Sequence, residues 1–90
     1  MKIVARFEVC ATTVHSPLAS MEKQFDAEVV PVAGMDFDME GLTNELAIKH
    51  VTVSPSSNCY YVTLEDVVRR DPDACEQFIR GAVSYGWKRL

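Results

Sequence analysis

The residues near the start of the chain constrain it most. Ile3, Ala5, Phe7, Val9 and Ala11 alternate with Lys2, Arg6, Glu8 and Thr12 within residues 2–14. Successive side chains of a strand point to opposite faces, so this period of two predicts a strand with one apolar face. Val4 and Cys10 fall among the polar set. A lone strand cannot pair its own backbone amides and carbonyls, so the rest of the chain must supply sheet neighbours and a cover for the apolar face. Only 90 residues are there to do so. A chain of that length makes one domain, residues 1–90, and buries only about 60–65% of its unfolded surface. A deep enclosed cavity would compete with that thin core for residues.

The other elements follow from local signals. Ser16-Pro17 is a helix-start pair, and Leu18, Met21 and Phe25 follow at helical spacing, which predicts a short helix over 17–25. Residues 27–33 suggest a strand that lies at an edge or carries a bulge, because Pro31 cannot donate to a ladder. Asp36-Phe37-Asp38 continues as an extended segment, and residues 39–47 fit a helical turn or a loop. Ile48–Val53 and Cys59–Thr63 form a hairpin across the turn residues 54–58. Thr63-Leu64-Glu65-Asp66 resembles a capping box and predicts a short helix over 64–70. Asp71-Pro72-Asp73 opens a longer helix over about 72–85, with Cys75, Phe78, Ile79, Ala82 and Val83 on one face. Gly86 ends it, and no strand is expected after it. The fold class expected is therefore α+β, a three- to four-stranded, mostly antiparallel sheet with helices packed on one face.

Composition narrows the function. A hydrophobic share of 48% beside 24% charged residues excludes a disordered tail or a coiled-coil rod. No run reaches the roughly 18–20 apolar residues of a membrane-spanning helix, so no membrane partner is expected. Three cysteines, Cys10, Cys59 and Cys75, contain no C-x-x-C pair and suit reduced thiols. With no apolar leader at the start, the expected location is the cytoplasm, or the host cytoplasm for a viral chain. The net charge of -4 is unevenly spread. Residues 22–45 carry Glu22, Asp26, Glu28, Asp36, Asp38, Glu40 and Glu45 against Lys23 alone. Such a patch steers toward a basic partner surface.

Chemistry-bearing motifs are few. Asp36-x-Asp38-x-Glu40 has the spacing of a cation loop, but the twelfth position counted from Asp36 is Ala47, where a bidentate carboxylate belongs. Cys10, His15, His50 and Cys59 lack recurrent zinc spacing, so no metal and no cofactor are expected. Nothing sets a Cys or Ser beside His15 or His50, and no phosphate-binding glycine loop or nucleophile elbow occurs, so no catalytic residue is assigned and no enzyme is expected. Arg69-Arg70 and Lys88-Arg89, with Tyr60, Tyr61, Tyr85 and Trp87, are the residues with which the chain would bind nucleic acid, and they suit helix ends better.

The function expected is a small acidic, non-enzymatic protein-binding module. It would occlude a basic surface of a nucleic-acid-processing protein, in the manner of the compact inhibitors that phages encode. The partner-binding residues expected are Asp26, Glu28, Asp36, Phe37, Asp38 and Glu40. The alternative is a small-ligand or nucleic-acid-binding domain that uses an exposed sheet face with Tyr60 or Tyr61. A homodimer covering Val4, Cys10 and Tyr61 is the remaining partner expectation.

Overall fold

In the computed structural model, which describes residues 1–14, 16–39 and 45–90, the alternating segment forms the central strand β1 (Lys2–Ala11). Its apolar row of Ile3, Ala5, Phe7, Val9 and Ala11 is buried. One side of β1 pairs antiparallel with β2 (Ala19–Asp26), in a register that sets Val9 opposite Ala19 and Lys2 opposite Asp26. The other side pairs in parallel with β5 (Cys59–Leu64) and then with β6 (Val67–Arg69). β4 (Glu45–Ser54) lies beyond β5, and β3 (Asp36–Asp38) beyond β4. At the opposite edge the two-residue β7 (Lys88–Arg89) joins β2. Among the described residues this makes one seven-stranded mixed sheet, ordered β3-β4-β5-β1-β2-β7 with β6 on β1.

The expectation of a three- to four-stranded sheet carrying several helices is corrected: one helix, α1 (Pro72–Ser84), is present among the described residues. Two local readings account for the missing helices, and a third concerns an expected strand. Leu18, Met21 and Phe25 suggested a helix over 17–25, but Ala19 and Met21 are the buried positions, two apart, and Phe25 shares their face as a partly buried residue. The Leu18 amide donates to the Val9 carbonyl at 2.9 Å and turns the chain back along β1. Residues 64–70 form no helix; Val67 is buried and β6 fills the place beside the last residues of β1. Residues 27–33 form a loop, not a strand.

The hairpin is present, with Ser54 opposite Cys59 and Asn58 at a left-handed φ of 52° in the turn. β4 has a register shift between Ile48 and His50, which leaves Lys49 as the extra residue of a bulge. Without it, Ile48 and Val51 would fall on opposite faces; with it, both join the core. α1 begins where its signals place it. Asp71 is the cap, its carboxylate accepting from the Ala74 amide at 2.9 Å, worth about 1 kcal/mol. Its buried face of Cys75, Phe78, Ile79 and Ala82 covers the Ala11 end of the apolar row. Gly86, at φ +94°, then reverses the chain and Trp87 returns to the core.

Candidate functional site

Away from α1, the loop 27–35 and β3 line the inner face opposite Ile3, Ile48 and Val62. Between this strap and the sheet lies an open cavity of about 440 Å³, in the size range of small-molecule sites. Ile3, Ile48 and Val62 form its floor, Phe25, Phe37 and Trp87 its aromatic wall, and Val29, Pro31 and Met35 belong to the strap. The aromatic rings meet edge to face: Phe25 and Phe37 at 5.5 Å between centroids, Phe37 and Trp87 at 6.3 Å, and Trp87 and Phe7 at 4.8 Å. The wall is thus continuous with the core.

The mouth is acidic. Asp26, Asp36 and Asp38 border the cavity beside Lys23. Lys23 donates to the Tyr85 carbonyl at 2.9 Å, which draws its head group to the end of α1. Phe37 points inward between Asp36 and Asp38, both exposed. The β3–β4 ladder sets Asp38 directly opposite Glu45.

Of the six residues expected to bind a partner, the fold brings Asp26, Asp36, Phe37 and Asp38 to this cavity. Glu28 is exposed on the strap outside the lining, and Glu40 lies outside the described residues. Sequence reasoning missed Phe25 and Trp87. The spacing around Phe25 fits a helix as well as a strand, and nothing in the spacing brings Trp87 beside β1.

The other candidate groups are dispersed. Cys59 lies opposite Lys2, whereas Cys10 is eight residues further along β1, roughly 26 Å at about 3.3 Å per residue. His50 is exposed beside the bulge, and His15 lies outside the described residues. Asp36–Asp38 is an extended strand, not a cation loop. Arg69 lies over the Phe78 ring at 4.7 Å, and Arg89 makes an ion pair with Glu76 at 3.2 Å, so one member of each basic pair serves the fold. On the outer face Val4 is buried between charged rows that include Lys2, Arg6 and Glu22, with Arg6 and Glu22 paired at 3.2 Å.

That face holds one group that the spacing concealed. Glu8, Cys10 and Asp66 bring their side-chain donors within 4.8 Å of one another, because β6 runs beside β1. Burial, then the Asp66 and Glu8 carboxylates, and last Cys75, push the Cys10 thiol above its ordinary value. The folded chain therefore holds that proton more tightly than the unfolded chain does. This contribution to stability is complete below about pH 8.5 and declines as pH rises through the folded value. Iodoacetamide at pH 8 should modify Cys10 more slowly than a free thiol, and Asp66→Asn should speed the reaction; equal rates in both proteins would contradict the assignment.

Compared with family models, curated proteins and solved structures, the chain matches none. Among the described residues no helix is long and apolar enough to cross a membrane.

Proposed function

We propose that the protein is a non-enzymatic binding module that docks a basic surface of another protein. The observation that supports this reading best is the convergence of Asp26, Asp36 and Asp38, from β2 and β3, around an aromatic-walled cavity. The acidic residues steer the encounter and set its orientation, while Phe37 and the strap supply apolar contact area. Blocking a surface through which that partner contacts nucleic acid is the mechanism that fits such a charge pattern. Direct nucleic-acid binding is less favoured, with Arg69 and Arg89 engaged within the fold.

The test is capture from lysate of the source cell by the wild-type chain and by an Asp26→Lys/Asp36→Lys variant, at low and moderate salt. The expected result is one protein retained in stoichiometric amount by the wild type and lost from the variant, with the complex then rebuilt from purified components. Equal retention by both chains, or retention of nucleic acid alone, would overturn the reading. Both positions are exposed, and Asp26→Lys sets a lysine opposite Lys2, so the variant should unfold within about 1 kcal/mol of the wild type.

A further inference from the structure

We infer that the cavity beneath the strap is itself a binding site for a small apolar organic molecule carrying one positive charge, of the arylalkylamine class. This goes beyond the docking of a protein partner and does not depend on it. Three observations support it. The volume of about 440 Å³ is that of a small-molecule site and exceeds what packing defects leave in a core this size. The wall is formed by Phe25, Phe37 and Trp87, whose ring faces attract cations as well as apolar groups. Among the described residues the mouth carries Asp26, Asp36 and Asp38 beside Lys23, a net negative charge however these groups pair. An anion entering there meets repulsion, a neutral guest gains apolar contact alone, and a cation gains both contact and charge complementarity.

The chain's single tryptophan stands in the cavity wall, so its emission reports occupancy. The experiment titrates the purified full chain with phenethylammonium, the neutral phenethyl alcohol and the anionic phenylpropionate, at low salt and near-neutral pH. The expected result is a saturable change in Trp87 emission, with phenethylammonium binding at least tenfold more tightly than the alcohol and phenylpropionate binding least. Amide shifts in a ¹H–¹⁵N spectrum should centre on Ile3, Phe25 and Phe37. Asp26→Asn/Asp36→Asn replaces exposed residues and should keep the fold while bringing the amine down to the affinity of the alcohol. No saturable change with any probe, an amine no tighter than the alcohol, or shifts centred on Tyr61 of the opposite face would each overturn the proposal. Because no partner protein is present, failure here leaves the docking reading to its own test.

Discussion

Phe7→Ala is expected to cost about 3–5 kcal/mol of folding stability. Phe7 is 1% exposed at the middle of β1, with the Phe78 ring at 5.9 Å on one side and the Trp87 ring at 4.8 Å on the other. β1 is held by β2 along one edge and by β5 and β6 along the other, so its backbone cannot move in to close the void. The loss then includes both the transfer of the ring and the cavity left behind. Domains of this kind are stable by only about 5–15 kcal/mol, so the variant keeps a small margin or none. With a urea dependence of about 1–1.5 kcal/mol per molar, the midpoint should fall by roughly 3 M. Val53→Ala, on a side chain that is 57% exposed, should change stability by less than about 0.5 kcal/mol. A Phe7→Ala midpoint within about 1 M of the wild type would show that Phe7 does not join the helix to the sheet.

The strand that carries Phe7 was the most legible part of the fold. A long alternation with no competing period leaves one solution, and β1 spans almost the length expected of it. The helix after Asp71 was legible for a different reason: cap, first-turn proline and apolar stripe agree with one another. β2 was misread because its apolar residues are compatible with two periods. Leu18, Met21 and Phe25 satisfy a helix, while Ala19, Met21 and Phe25 satisfy a strand that takes Lys23 into the same row. Pairing with β1, a tertiary effect, decides between them. β6 was misread because a three-residue strand is too short to show a period, and a capping pattern stood where it begins. The Lys49 bulge has no signal in the sequence, yet it sends Ile48 and Val51 to the same side.

The site was legible as charge and not as shape. The acidic stretch and Phe37 stand out in the sequence, and four of the six residues singled out there border one cavity. The cavity arises where the loop 27–35 and β3 face Ile3, Ile48 and Val62, a meeting of distant segments in three dimensions. Phe25, Phe37 and Trp87 serve the core and the wall of this open cavity together.

Trp87→Ala should be as damaging as loss of Phe7, about 3–5 kcal/mol, although the residue lies only three positions before Leu90. Trp87 is 4% exposed, its amide donates to the Ala82 carbonyl at 3.1 Å, and the next two residues pair with β2. Its ring touches both Phe7 and Phe37, so one side chain links the hydrophobic core to the strap. For a domain of this size each kcal/mol moves the melting temperature by about 4–8 °C, which predicts a fall of roughly 20 °C, read by far-ultraviolet circular dichroism because the variant has no indole. Leu90→Ala, at a side chain that is 57% exposed, should leave the melting temperature nearly unchanged and serves as the comparison. Trp87→Phe separates the two duties of the ring: it keeps part of the contact with Phe7, and its shorter reach should loosen the contact with Phe37. Hydrogen exchange at the Phe37 amide should then rise by more than exchange at the Phe7 amide. Equal protection at both positions would mean that the strap is held by β4 alone, and that Trp87 belongs only to the core.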